Sequence, residues 1–365
     1  MRKMRSGVNN LTCIEALNSR ICHGKEALFN VLRMNAQRKQ FALSILSYAV
    51  QRGVNAEDLC SAAEISLELL KSKDDIELNP SAIVKLWRNA QHLCRDPLFG
   101  LHFGESLQLG ALGAVGEIIK SSETVGQGLT LAAAFTPIVT DLFTMEVKKR
   151  GETFQVRLIE TDQANHNGFV QQMADFLMVF TIHELNGLLL KKVAPITIQY
   201  SYKMDDETEY TRVFRCKPES TNGMLSMEFD NKLWDEPILT ANYDVQKMFL
   251  EKVSASVHDP MKNISFQVSV MDYLMKNSYL GILSLEDVAA NFNMTPRSLQ
   301  RRLQEESVTF QQLADSVRKS LALSYLESGK YQVKEVSYML GYNELSAFSR
   351  AFKRWTGKAP FEYRS

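Results

Sequence analysis

The sequence predicts an α+β N-terminal domain, a helical layer plus a small antiparallel sheet, followed by an all-α C-terminal domain with two helix–turn–helix units. Three observations predict it. One helix–turn–helix pattern occurs twice between residues 285 and 363. Ahead of it, long stretches of 3.6-residue apolar period give way to shorter runs of period two. At 365 residues the chain also exceeds what one ordinary core holds, so two domains are expected.

Residues 1–25 lack a strong pattern and are expected to be poorly ordered, and 26–240 form the first domain. From Arg38 to Leu101 the segments FALSILSYAV, AEDLCSAAEISLELL and SAIVKLWRNAQHLC read as three or four amphipathic helices, broken at Gly53 and restarted at Pro80–Ser81. The following LQLGALGAVGEIIKSSETVGQGLTLAAAFTPIVTDLF reads as two apolar helices whose glycines serve close packing, with Ser121 to Thr124 supplying cap residues. Alternation in FTMEVKKRGETFQVRLIE then predicts a β-hairpin turning at Arg150–Gly151. NHNGFVQQMADFLMVFTIHELNGLLL returns to helix period. ITIQYSYKM and GMLSMEFDN read as strands, with the acidic DDETE as a turn.

A helical linker is predicted over 241–260, ending at His258-Asp259-Pro260, where the proline marks a boundary. The C-terminal domain, 261–365, opens with the helix VSVMDYLMKN. In the first unit Leu285, Val288, Ala289 and Phe292 line one helix face, and Leu299 and Leu303 face inward on the next. In the second, Val333, Val336 and Leu340 are followed by Phe348, Phe352 and Trp355. Val288 corresponds to Val336, Phe292 to Leu340 and Met294 to Tyr342; after one extra turn residue, Leu299 corresponds to Phe348 and Arg301 to Arg350. The connector FQQLADSVRKSLALSYLESG carries Phe310, Leu313, Val317, Leu321 and Tyr325 on one side and closes at Gly329. It would hold the two units at a fixed spacing.

Each second helix keeps a polar, Arg-bearing face for a partner, and double-stranded DNA fits it. The first begins at a Thr295 cap with Pro296 next. It presents Arg297, Gln300, Arg301 and Gln304, side chains able to make paired contacts with guanine or adenine edges in a major groove. The second presents Leu345, Ser346, Ser349 and Arg350, a poorer set of base-specific donors. Thr295, Ser298, Arg302, Asn343, Lys353 and Arg354 are placed for backbone phosphates. Formal charge is zero overall, yet residues 261–365 hold 14 Lys or Arg against 10 Asp or Glu, leaving 28 against 32 elsewhere. The C-terminal part is the basic one.

The five cysteines, at 13, 22, 60, 94 and 216, form no CxxC pair and no zinc-ligand spacing, so reduced thiols and no metal are expected. The N-terminus has no apolar core of a secretory signal, and no run reaches the length of a membrane span, which predicts a cytoplasmic protein with no membrane partner. No P-loop, GxGxxG, GxSxG or HExxH motif occurs. Nor is there the four-cysteine zinc site or Pro-Cys-His nucleophile of a DNA-repair alkyl acceptor that carries such helix–turn–helix units. The sequence therefore reads as no enzyme and calls for no cofactor.

Residues 261–365, and above all LGYNELSAFSRAFKRWTGKAPFEYR, closely resemble the AraC/XylS family of bacterial transcription regulators. The resemblance implies a seven-helix domain whose two reading helices enter successive major-groove segments. Arg297, Gln300, Arg301, Leu345, Ser346, Ser349 and Arg350 fall on the base-reading positions; Leu345 departs from the polar residue often found there. LWRNAQHLCRDPLFGLHFGESLQLGALGAVGEIIKSSETVGQGLTLAAAF is similar to the non-cupin effector domain called arabinose-binding-like. That implies control of a regulator, by family analogy an activator that contacts RNA polymerase, through a small-molecule effector or through homodimerisation. The polar anchors of an effector pocket between helices and sheet are expected among His166, Asn167, His183, Glu184, Tyr200 and Tyr202. No basic cluster favours a highly anionic effector. The alternative is a ligand-independent architectural protein whose first domain only dimerises or binds a protein.

Overall fold

The computed structural model describes residues 27–72, 78–112, 114–164, 168–189, 191–238, 265–277, 283–327, 329 and 331–363. Residues 1–25 and 241–260, and with them the expected N-terminal disorder and linker helix, lie outside the described residues, as do His166, Asn167, Cys13 and Cys22. Two separate apolar cores organise the fold, one from residues 41–238 and one from 266–352.

In the first, helix α1 (Ala27–Gln51) buries Phe41, Ala42, Ile45, Leu46 and Ala49, a single helical stripe, and stops before Gly53 at φ +89°. Short helices α2 (Ala56–Ala62) and α3 (Leu67–Lys71) start at Asn55 and Ser66, whose side chains accept backbone N–H groups of the first turn. Helix α4 (Pro80–Cys94) starts on Asn79 with Pro80 at its first position and buries Trp87. That indole meets Phe99, Phe103, Phe169 and Phe176 edge-on. After α5 (Phe99–Ser106) come a 3₁₀ turn (Leu109–Leu112), α6 (Ala114–Lys120) and α7 (Val125–Val139), which Thr124 caps.

The apolar helix α8 (Gly168–Leu189) is buried along nearly its whole length. It lies against α5, where a Cβ at Gly100 would stand 2.2 Å from the Gln172 carbonyl oxygen. At Gly116 a Cβ would come within 1.7 Å of the Leu109 carbonyl oxygen. Close packing is thus the use these glycines have.

The sheet has five strands in the order β1-β2-β5-β3-β4. Strands β1 (Phe143–Arg150) and β2 (Thr153–Glu160) form the expected hairpin, with Val147 opposite Val156 and the turn at Gly151, φ +60°. β5 (Leu225–Asp230) pairs antiparallel with both β2 and β3 (Thr197–Tyr200). The sheet differs from the expected antiparallel one at its edge, where β4 (Glu219–Ser220) runs parallel to β3. A parallel neighbour needs a crossover, and the chain supplies it as α9 (Glu207–Phe214). The DDETE segment is therefore not a turn. Asp206 caps α9 by accepting from Thr208 and Glu209, and the acidic first turn suits the positive end of the helix dipole.

The second core joins α10 (Phe266–Lys276), α11 (Leu285–Asn291), α12 (Pro296–Glu305), α13 (Phe310–Glu327), α14 (Val333–Met339), α15 (Leu345–Thr356) and a closing 3₁₀ turn, Pro360–Tyr363. The described residues here hold six α-helices and one 3₁₀ turn. Among the described residues no helix is long and apolar enough to cross a membrane.

Candidate nucleic-acid interface

The duplication seen in the sequence is repeated in the backbone. In the first unit Phe292 caps the end of α11, the Asn293 N–H donates to the Ala290 carbonyl at 2.8 Å, and the Met294 N–H to that of Ala289 at 2.8 Å. In the second the Gly341 N–H donates to the Tyr338 carbonyl at 3.0 Å, and the Tyr342 N–H to that of Ser337 at 3.0 Å. The residues correspond one for one. Both turns need a left-handed residue, Asn293 at φ +51° and Gly341 at φ +80°, and Asn and Gly are the residues that adopt it most readily.

Helix α12 starts on Thr295, whose hydroxyl accepts the Ser298 N–H at 3.2 Å, with Pro296 at the first helical position. Helix α15 starts one residue later in register, on Glu344, without a side-chain cap. Leu299 and Leu303 of α12, and Phe348 and Phe352 of α15, are fully buried. Their burial fixes which faces are left over. Arg297, Gln300, Arg301 and Gln304 on α12 and Leu345, Ser346 and Arg350 on α15 are exposed, and Ser349 is half-buried. The connector α13 touches α10, α14 and α15 within one continuous core, which braces the units.

The cations differ in freedom. Arg297, Arg350 and Lys353 are exposed, Arg301 lies 3.8 Å from Glu305, and Arg354 is held 3.1 Å from Asp315. Arg302, expected at a phosphate, is half-buried: its guanidinium stacks 4.2 Å over the Phe266 ring, because its position on α12 turns it toward α10. Thr295 and Asn343 are exposed and Ser298 is half-buried.

Of the expected effector-pocket residues, Glu184 lines an apolar chamber formed by the Leu109–Leu112 turn, α6, α7 and α8, with Met145 of β1 at its edge. His183, Tyr200 and Tyr202 are not among its lining residues. Burial, with Arg215 nearby, pushes the His183 imidazole down to about 3. Tyr200 and Tyr210 both donate to the fully buried Asp175, Tyr210 at 3.0 Å, and burial pushes that carboxyl up to about 7. Tyr202 donates to Glu160 at 2.5 Å. Cys60, Cys94 and Cys216 are free, and burial pushes the first two thiols up to about 11 and 12.

Two family models match the chain. Residues 53–238, just over half of the chain, match the family described as the arabinose-binding domain of AraC transcription regulator, N-terminal. Residues 288–365 match a helix-turn-helix domain. The chain belongs to the AraC family of transcription regulators. It is 25% identical to the ornithine utilization regulator of Pseudomonas aeruginosa over 328 residues, 89% of this chain and 95% of that protein. It is 25% identical to the regulator VqsM of the same organism over 274 residues, 73% and 83% of the two chains. The urease operon transcriptional activator of Escherichia coli is 38% identical over 80 residues, 22% of this chain and 27% of that one. The crystal structure of CdpR from P. aeruginosa aligns over 84% of this chain and 96% of its own, at 22% identity and TM-score 0.38. The chain is a DNA-binding, helix–turn–helix transcription regulator.

This AraC-family regulator has a site that the sequence reading missed, where α11 enters the first domain. Asn291 is fully buried there. Its side-chain nitrogen donates to the His102 carbonyl at 3.1 Å and to Glu105 at 3.3 Å, and its oxygen accepts from Arg52 at 2.7 Å and Ser106 at 3.3 Å. Nearby Asn293 donates to the Arg95 carbonyl at 2.9 Å, and Gln51 to Asp272 at 2.7 Å. The signal that could have found it lies in the duplication. At the same register the second unit has Met339, half-buried against the core, so a polar residue in the first unit points to a polar partner.

Behind this joint His102 sits fully buried between Asp96, 2.7 Å away, and Glu209, 2.9 Å away. Burial works against its charge, but the two carboxylates outweigh that and push the imidazole up to about 9. Arg212 bridges Glu209 and Glu105, linking this cluster to the carboxylate that Asn291 touches. Burial would raise the Glu209 carboxyl, but bonds from His102 and Arg212 hold it down at about 2.

Proposed function

We propose that α12 and α15 read successive major-groove segments of one DNA duplex, and that the first domain sets their placement through the joint at Asn291. The observation that supports this is the repeated turn geometry. It seats Leu299 and Phe348 in one core and leaves two polar helix faces uncovered. Arg297, Gln300 and Arg301 carry most of the base preference, each paired contact supplying roughly 1–3 kcal/mol of discrimination, with Gln304 beside them. Ser346, Ser349 and Arg350 add a smaller share, and Leu345 offers only apolar contact. Thr295, Ser298, Asn343, Lys353 and Arg354 face phosphates, and Arg302 supports α12 from behind.

Control comes from an effector or a second copy of the chain, which shifts the population of domain arrangements. The likeness to the urease operon transcriptional activator over 80 residues supports activation, and contact with RNA polymerase is the means we propose for it. Catalysis has no part in this reading.

Selection of genomic fragments by the full-length protein, followed by footprinting, tests it. A bipartite site with half-sites about 10 base pairs apart is expected, one helical turn of DNA. A single protected segment, unaltered by substitutions on α15, would refute reading by both helices.

A further inference from the structure

We propose that Glu306 is a positioning residue for base reading: from the C-terminal end of α12 its carboxylate caps α10, and this fixes the angle at which α12 enters the groove. The proposal rests on the reading of α12 as a DNA-reading helix. The N–H groups in the first turn of a helix have no regular partner within it, and α10 shows where its own go. Val268 and Ser269 donate to the Ser265 carbonyl at 3.0 and 3.2 Å. That leaves Phe266 and Gln267, which donate to the two oxygens of Glu306, each at 2.7 Å. Ser265 stands at the N-cap of α10 and makes no side-chain cap bond, so Glu306, the residue that ends α12, serves in its place.

A carboxylate suits that place for two reasons: both bonds are charge-assisted, and the positive end of the α10 dipole attracts it. One turn before Glu306, the Arg302 guanidinium lies 4.2 Å over the ring of Phe266, the first residue of α10. Phe266 is buried and meets Phe292, at the end of α11, edge-on with ring centroids 5.4 Å apart. The last turn of α12 therefore grips the first turn of α10 by its backbone and by its side chain. At the same register the second unit has Ala351 and Trp355, which offer neither a cation nor a carboxylate. The grip is peculiar to the first reading helix.

Burial of Leu299 and Leu303 seats α12 in the core, but apolar burial is non-directional and does not by itself fix the tilt of the helix. Arg297 sits at the N-terminal end of α12, roughly 13 Å along the axis from Glu306, so a tilt of about 10° about Glu306 swings it by about 2 Å. A paired contact with a base edge tolerates far less, because its hydrogen bonds hold only over about 2.7–3.2 Å. The same grip refers α12 to the first domain. Gln51 of α1 donates to Asp272 of α10 at 2.7 Å, and a Cβ at Gly53 would lie 3.5 Å from Arg302 Nη2. With Arg52 on Asn291, three successive residues at the end of α1 meet α10, α11 and α12. A shift of α1 would carry the first reading helix with it.

Competition between the cognate duplex and duplexes altered in one half-site tests the proposal on the full-length protein, with every variant measured well below its melting temperature. Arg301→Ala and Arg350→Ala identify the half-site that each helix reads. Glu306→Ala should lower the preference at the α12 half-site by roughly tenfold and leave that at the α15 half-site within about twofold. The negative charge it removes acts on all duplexes alike and cancels in these ratios. Ser265→Asp supplies α10 with a cap of its own; added to Glu306→Ala, it should recover the melting temperature but not the preference. Recovery of the preference together with stability would show that Glu306 only caps a helix, and would overturn the proposal. So would a preference that persists in Glu306→Ala or falls equally at both half-sites, whatever Ser265→Asp does to stability. A native protein without preference at one half-site, or one whose preferences Arg301→Ala leaves intact, would instead sink the reading by α12 on which the proposal rests.

Discussion

Asn291, the last residue of α11, accepts a hydrogen bond from the Arg52 guanidinium at 2.7 Å, and the two residues adjoin different cores. The same guanidinium also donates to the Asn291 carbonyl at 3.1 Å, and it lies 3.3 Å from the centroid of the Tyr48 ring and 4.8 Å from that of Phe292. A charged donor in an aromatic niche is well served only while its acceptors remain. Losing one partner leaves the other desolvated and unpaired, at a cost of about 1–3 kcal/mol.

Asn291→Met, which gives the first unit the residue that the second has at this register, should therefore lower stability by about 1–3 kcal/mol. Arg52→Met should cost a comparable amount. The double substitution should fall short of the sum by roughly 0.5–3 kcal/mol, since either change alone already breaks the shared contact. Urea denaturation of the four proteins measures this. Strict additivity would mean that the two side chains do not depend on each other.

Two cations on the reading helices should behave differently. Arg301 is exposed on the outer face of α12, with only a 3.8 Å approach to Glu305 to compete for it. Arg301→Ala should lower affinity for the cognate site by roughly 1–3 kcal/mol and relax preference at one base pair. Lys353→Ala should weaken binding to all sequences alike and flatten the salt dependence by about one unit. Anisotropy titrations on cognate and scrambled duplexes at several salt concentrations separate the two. An Arg301 variant that loses affinity equally on both duplexes would reassign that residue to phosphate.

The helix–turn–helix half was legible because a duplicated unit exposes its own rules. Val288 and Val336, Asn293 and Gly341, Leu299 and Phe348 solve the same packing and turn problems twice, so each copy checks the other. Local capping was legible as well, as at Thr295 and Thr124. What escaped were contacts whose partners are far apart in sequence. Arg52 and Asn291 stand 239 residues apart, and His102 and Glu209 stand 107 apart, so no local period records either pair. The acidic DDETE looked like a turn because cap residues and turn residues are the same types; only the continuation through Tyr210 and Phe214 makes it a helix start. His183 and Glu184 illustrate the remaining limit. Neighbours on a helix point about 100° apart, and sequence alone does not say which of the two faces the chamber.

The contact of α5 with α8 leaves no room for a side chain at Gly100. A Cβ there would stand 2.2 Å from the backbone oxygen of Gln172, and backbone cannot swing aside as a flexible side chain can. Gly100→Ala should push the helices apart, disturb the Gly100 N–H bond to the Gln172 side chain, and destabilise the first domain by at least about 1–3 kcal/mol. The melting temperature should fall accordingly. The same change at Gly168, where a Cβ would meet nothing within 4 Å, serves as the control and should leave stability nearly unaltered.

The buried His102 gives the first domain a dependence on pH with a definite sign. Its imidazole is pushed up from the ordinary 6.5 to about 9, so the folded state holds a proton that the unfolded chain releases near neutrality. The stability this supplies is fully present below pH 6.5 and is lost as pH rises through about 9. His102→Gln removes the titrating group, so between pH 7 and about 9.5 its stability should decline less than that of the native protein. Asp175, raised to about 7, titrates in both proteins and cancels in the comparison. Because Asp96 and Glu209 hold the charge and Arg212 ties Glu209 to the Asn291 contact, the loss should reach the domain joint. Hydrogen exchange at the Asn291 and Asn293 amides should accelerate over the same pH interval beyond the intrinsic rise with hydroxide, and less so in His102→Gln. Parallel stability curves for the two proteins across that interval would show that His102 keeps no extra proton in the folded state.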